Sequence, residues 1–439
     1  MSVLTLAALA ALLAFGVSAS VGAGDAREAL RVIGRDAGPQ AVATADLYFT
    51  LGDMDAQVAN VLLIGGEEGL SREREAALRT YERRRDAASA ALLQAADLTG
   101  DDPAEQRTVR DVLSGLSRYE RLAAEALVLD RRSGHRAGPP PAEVTELYRR
   151  ATDLMRLELL PKAYNLTLES GALVRRTYED RRRDVLVARA VSLVAGLLLA
   201  GALVALQVYL AARFRRLLNP ALALALAGAA VLTAAASGLL GGQAEQLRRA
   251  RDEGFDHVLA LSRARAKGIG VQADQSRFLL DPARRDTYEQ AYLDQSQSIV
   301  YVPADSLGDY HRAVAGADGS RLLGLVGERV RGRTGEPAVR DVLTGFQGFQ
   351  RRDRELRHLV RSGRTREAVA LRLGASGRAF DRYDGALVSL VTAHRNAFEG
   401  AVRTGEARMG PWPYALPVGA VLIGLLVLAG VRPRLAEYR

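Results

Sequence analysis

Residues 185–242 constrain this chain more than any other stretch. An apolar run at 190–210 is followed by Ala211-Ala-Arg-Phe-Arg-Arg-Leu-Leu-Asn-Pro220 and a second apolar run at 221–240. Each run is about 20 residues, which at ~1.5 Å rise per residue crosses a ~30 Å hydrocarbon core. Neither run holds a charge. The connection is too short for a domain, and Pro220 suits the first turn of a new helix. Residues 3–21 and 412–431 are two further uncharged apolar segments. The expected partition is a first span at 1–24, a polar segment at 25–184, a second span at 185–212 and a linker at 213–220. A third span at 221–241, a second polar segment at 242–411, a fourth span at 412–431 and a tail at 432–439 follow. The first apolar run is long for a signal peptide and reads as an anchor, although Val17-Ser18-Ala19 would suit cleavage. No basic residue precedes it, so a start codon further upstream is expected.

Outside the spans the chain is charged, rich in alanine and only 5% aromatic. Strand-forming runs are almost missing; Ser298-Ile-Val-Tyr-Val302 is the nearest and ends at Pro303. The polar segments are therefore expected to be helical. There is no cysteine, which excludes disulfides, thiolate metal sites and a thiol nucleophile. The net charge of +9 invites a nucleic-acid reading. Interleaved signs, as in Arg351-Arg-Asp-Arg-Glu355, argue instead for solvated helix faces. No phosphate loop, dinucleotide fingerprint or nucleophile elbow occurs. His135, His257, His311, His358 and His394 lack metal-ligand spacing. The spans hold none of the mid-membrane ionisable groups that transport and proton relay use. No enzyme, cofactor or metal is expected.

Helix punctuation is similar in the two polar segments. In the first, breaks fall at Gly38-Pro39, Gly65-Gly66, Thr99-Gly100 and 133–141, with a kink at Pro161. In the second, Asp281-Pro282, Val302-Pro303, Gly335-Glu-Pro337 and Ser362-Gly363 divide the helices, and residues 221–280 run on without a breaker. Val109-Arg-Asp-Val-Leu-Ser-Gly115 recurs as Val339-Arg-Asp-Val-Leu-Thr-Gly345, at the same place in each third helix. Val109, Val112 and Leu116, like Val339, Val342 and Phe346, fall on one helical face and read as core; each glycine allows a close neighbour. The repeat implies duplication of one span–bundle–span unit. The expected fold is an all-α integral membrane protein with four transmembrane helices and two extracytoplasmic antiparallel four-helix bundles.

Only short segments set orientation, so the arginines at 213, 215 and 216 and at 432, 434 and 439 place linker and tail in the cytoplasm. Both polar segments then lie outside, and Trp412 and Tyr414 meet the outer interface. Ala225, Ala229, Thr233 and Ser237 repeat every four residues along the third span, a small-residue face suited to close helix packing.

The two polar segments differ in surface. Residues 24–184 hold 25 basic and 28 acidic side chains, whereas 242–412 hold 28 and 22. The second is thus expected to engage an acidic ligand or its carrier. The interrupted helix Ser296-Gln-Ser-Ile-Val-Tyr-Val-Pro-Ala-Asp305 offers the contact surface, with Ser296, Gln297, Tyr301 and Asp305 as candidate binding residues.

A span leading into a helical bundle and back resembles the sensor domains of chemoreceptors. Over its whole length the arginine-rich, four-span plan is similar to the GlnX-type membrane proteins of actinobacteria. That resemblance implies an extracytoplasmic amino-acid-binding lipoprotein of the GlnH type and a cytoplasmic Ser/Thr kinase of the PknG type as partners. It also implies sensing of an amino acid such as aspartate or glutamate, directly or through the binding protein. The competing expectation is a non-signalling membrane scaffold that docks cell-envelope proteins. The oligomeric state is left open. The topology has a direct test, because the chain lacks cysteine. An impermeant maleimide applied to intact cells should label Gly134→Cys and spare Asn219→Cys; the opposite pattern would invert the orientation.

Overall fold

The computed structural model describes residues 2–32, 34, 38–98, 103–214, 219–317, 323–326 and 337–435. The expected breaks at Thr99-Gly100 and Gly335-Glu336, the linker arginines 215 and 216, and Arg439 lie outside the described residues. The helices are α1 (Ser2–Arg31), α2 (Gly38–Ile64), α3 (Ser71–Leu98), α4 (Pro103–Ser133), α5 (Ala142–Leu154), α6 (Leu160–Phe214) and α7 (Pro220–Arg249). They continue with α8 (Asp256–Leu280), α9 (Arg285–Ile299), α10 (Leu307–Ala315), α11 (Pro337–Arg361), α12 (Thr365–Leu371), α13 (Gly377–Met409) and α14 (Trp412–Leu435). Among the described residues the only β pairing is an isolated bridge between Tyr301 and Leu323.

The chain divides into two compact units. The smaller holds Met1–Ala37, Leu173–Gly254 and Asn396–Arg439. Its helices include four long and apolar enough to cross a membrane, which marks a multi-pass membrane protein. Their inner faces are small. Ser18 Oγ lies 3.1 Å from Ser192 Oγ, and a side chain on Gly22 would meet Ala188. Ala225 and Ala229 are buried in the core of this unit. Thr233 lies so close to Gly196 that a β-carbon there would overlap it, and Ser237 accepts a bond from Arg189 Nε at 3.3 Å. The outer faces expose Leu197, Leu198, Val208, Val231 and Leu425, as helices in lipid must.

The larger unit holds Gly38–Ala172 and Phe255–Arg395 together. This differs from two separate bundles. The helices α2 and α8 pack on each other at its centre. Both are buried on almost every side, and their polar residues Asp55, Asn60, Asp274 and Arg277 are buried with them. Neither half could cover its own central helix alone. The core beneath the first half accordingly includes Phe278, Leu280, Tyr288, Leu356 and Val369 from the second.

The repeated motif lies in α4 and α11. Val112 and Val342 are fully buried, as are Leu116 and Phe346 nearly so. A β-carbon on Gly115 would stand 2.5 Å from Leu159 Cδ2, and one on Gly345 2.9 Å from Tyr383 Cα, so both glycines admit a neighbouring helix.

Among the described residues, π-helical turns include Met155–Leu159, Ala250–Phe255 and Arg372–Ser376. The first explains why Pro161 produces no break. Just before that proline the widened turn lets Leu160 N–H bond Met155 O, and α6 continues through it. The second lies inside the run from the third span into α8, which is helical at every residue from Pro220 to Leu280 as expected.

Candidate functional site

The central contact begins with Asp55, one of two acids in the buried stretch of α2. A buried carboxylate is costly unless several donors surround it. Asp55 has five hydrogen bonds. Tyr119 Oη donates to Oδ1 at 3.1 Å; Oδ2 receives Tyr148 Oη at 3.2 Å, Thr152 Oγ1 at 2.8 Å, and Arg277 through Nη2 at 2.5 Å and Nε at 3.2 Å. The other guanidinium nitrogen of Arg277, Nη1, reaches Asp274 Oδ1 at 2.5 Å. Burial alone would lower the Arg277 pKa, but the charges of Asp55 and Asp274 outweigh it and hold the guanidinium well above its usual value. Burial also pushes the phenols of Tyr119 and Tyr148 well above theirs. The seam continues with Ser276 donating to Asn60 at 2.9 Å and with Arg149 gripping Asp281 by two bonds of 2.6 and 2.8 Å.

Beside this network is a cavity of about 390 Å³, lined from both halves of the larger unit. Arg277 lies in its wall, with Asp294 and Gln295 of α9. Gln295 donates to Asp274 at 2.8 Å, and its amide lies where any side chain on Gly270 would stand. That contact gives Gly270 a packing role. Tyr48 and Tyr164 meet edge to face with centroids 6.0 Å apart, forming an aromatic wall. Burial leads the effects that push the Tyr48 phenol up to about 12. Lys267 Nζ lies 5.4 Å from the Tyr164 ring centre and makes no ion pair among the described residues. Burial holds its pKa below the usual lysine value. Arg156, on the first π turn, stacks over Tyr288 at 5.3 Å and likewise has no carboxylate partner among the described residues. The cavity thus joins an aromatic wall, two cations without counter-ions and an exposed carboxylate, Asp294.

A second, smaller pocket of about 190 Å³ lies wholly in the second half, between α9, α10 and α11. Arg354, Arg357 and Arg361 rise along one face of α11, with Arg312 and His311 from α10. Arg357 is clamped between the rings of Phe278 and Tyr292 and bonds Asp353 at 2.7 Å and Glu289 at 2.9 Å. Its Nη2 is buried without a partner. His311 Nε2 lies 3.1 Å from Asp353 and is not aligned for a hydrogen bond. Burial would raise the Asp353 pKa; Arg357 and His311 overcome it and hold the carboxyl below its usual value.

The residues expected from sequence to bind line neither of these pockets and fall in sequence between Gln295 of the first and Leu307 of the second. Ser296 is fully buried, its carbonyl accepting Tyr310 Oη at 2.8 Å and its hydroxyl accepting Gln350 at 3.2 Å, so it offers nothing to a surface partner. Gln297 ties the helix break to Ala304 O at 3.2 Å. Tyr301 is exposed, with its N–H bonded to Leu323 O at 2.8 Å, and Asp305 is exposed. Most backbone groups freed by the break are therefore already used. Sequence reasoning missed Asp55, Arg277, Tyr48 and Lys267. Two signals pointed to them: Asp53-Met-Asp55 inside an apolar helix, and Lys267 as one of only two lysines.

Residues 29–179 match the actinobacterial sensor domain family. The match covers about a third of the chain, including Tyr48, Asp55, Arg156 and Tyr164, and supports a sensing role. No curated protein and no solved structure matches the chain.

Removing Asp55 would leave Arg277, two phenols and a hydroxyl without their shared acceptor. Breaking a buried pair from one side costs about 3–5 kcal/mol. Asp55→Ala should destabilise the protein by that amount in denaturant unfolding. Asp55→Ala with Arg277→Met should cost less than the sum of the single changes.

Proposed function

We propose that this protein is a transmembrane sensor that binds a small acidic solute, such as aspartate or glutamate, in the cavity beside Arg277. The larger unit is extracytoplasmic in this reading, as the short arginine-bearing linker and tail suggest. Lys267 and Arg156 meet carboxylates, Asp294 meets an ammonium group, and Tyr48 with Tyr164 covers the carbon chain. The observation that carries the reading is the half-buried Lys267 without a counter-ion, in a cavity whose first-half wall lies in the stretch matching a sensor domain.

A ligand in this cavity would touch α8 and α9 together with the segment where α5 passes into α6. Helix α6 runs unbroken from Leu160 to Phe214 and so carries any shift at the cavity toward the linker. Small helix displacements are an established form of transmission. The linker at 213–220 is too short for an output domain, and in this reading the signal passes to a separate cytoplasmic protein such as a Ser/Thr kinase. The acid can arrive free or on an extracytoplasmic binding lipoprotein, for which the basic pocket of α11 supplies complementary charge.

Calorimetry on the full-length protein tests the reading. Aspartate or glutamate should bind, asparagine and glutamine should bind at least tenfold more weakly, and Lys267→Gln should abolish the difference. An anion beside Lys267 raises its depressed pKa. Binding should therefore take up protons as pH approaches the ordinary lysine value of about 10.4. Partner capture without any solute effect would favour a scaffold instead.

A further inference from the structure

The smaller unit carries a cationic surface of its own. A cavity of about 680 Å³ lies where α6 enters its apolar run, bordered by Arg182 and Arg183 on α6, by Arg248 near the end of α7 and by Arg251 and Asp252 on the π turn after it. Arg248 is held by Glu245 at 3.0 Å, and Arg251 lies over the Tyr178 ring at 4.7 Å, with Glu179 at 3.8 Å. Arg182 and Arg183 are exposed and make no ion pair among the described residues. One turn further along α6, Leu186 and Val187 line the same cavity and are 37% and 56% exposed. Below them Val191 and Val194 continue an exposed aliphatic strip into the membrane-spanning run.

Guanidinium groups above an aliphatic strip match a molecule with an anionic head and an apolar tail. From Ala190 to Arg182 is eight residues, about 12 Å along a helix. The headgroup layer adds roughly 5–7 Å beyond the hydrocarbon, which brings a lipid phosphate to within about a side chain's length of these arginines. A soluble anion would need the arginines alone and would leave Leu186 and Val187 without purpose. We propose that this cavity binds the phosphate of an anionic phospholipid, whose chains lie along Leu186, Val187 and Val191. The lipid would bridge the end of α6 and the end of α7.

Full-length protein reconstituted in nanodiscs tests this. With phosphatidylglycerol and phosphatidylcholine in equal amounts, native mass spectrometry should find phosphatidylglycerol retained at least tenfold over phosphatidylcholine. Arg182→Gln with Arg183→Gln should remove the preference, and Arg182→Lys with Arg183→Lys should keep most of it. Millimolar inorganic phosphate should not displace the lipid. Equal retention of both lipids by the native protein would overturn the proposal, and that comparison stands even if the Gln variant fails to fold. A preference unchanged in a folded Gln variant would also overturn it. Displacement by inorganic phosphate would show a soluble-anion site instead.

Discussion

The larger unit depends on one buried arginine. Arg277 of α8 lies between Asp55 of α2 and Asp274 of its own helix, with both carboxylates fully buried. Burying three charges costs several kcal/mol per ion before their attraction offsets it. Such a cluster is weak evidence for added stability, since apolar side chains of similar volume often do as well. What it supplies is register. Asp55 finds all its donors only when α2, α4, α5 and α8 occupy their native positions. A slip of either central helix by one residue would leave a buried carboxylate or guanidinium bare, at a cost that no repacking of alanine and leucine could offset.

The same requirement makes the cavity possible. Arg277 is fixed by two acids and is not free to fold over the space beside it. Gln295 is held by Asp274 and lies over Gly270, which keeps the wall open. Arg156 and Leu157, on the π turn at Met155–Leu159, line the cavity from the first half. Lys267 is the group left without compensation. A lysine desolvated without a partner is destabilising, and burial already depresses its pKa. An anionic ligand would remove that penalty, which is the thermodynamic basis of a ligand-dependent shift.

Much of the fold could be read in the sequence because the relevant signals are long. A run of 20 uncharged apolar residues admits few structures, and the four spans follow from length alone. The repeated motif could be placed on a core face because its spacing fits only one side of a helix, and Val112 and Val342 are buried there. The joining of the two halves was not legible in the same way. Apolar periodicity shows that a face is covered and leaves open what covers it, so α2 and α8 read as members of separate bundles. Nor does composition settle it, since α8 carries Arg263, Arg265, Lys267, Asp274 and Arg277 and reads as a half-exposed helix although its last third is wholly buried. The expected binding stretch rested on backbone groups left free by its helix break. The break at Val300 to Ser306 frees backbone groups, but Tyr310, Gln297 and Leu323 take them up again. Side chains from distant segments make the cavity, and their meeting depends on tertiary packing that no local pattern records.

The central claim is that α2 and α8 form one cooperative unit through Asp55 and Arg277. Native-state hydrogen exchange on the full-length protein measures this directly. Amides at the middle of α2 and α8 should open with the same free energy, and Asp55→Ala should lower both by the same amount. Loss of protection confined to α2, with α8 unchanged, would show two independent bundles and contradict the account.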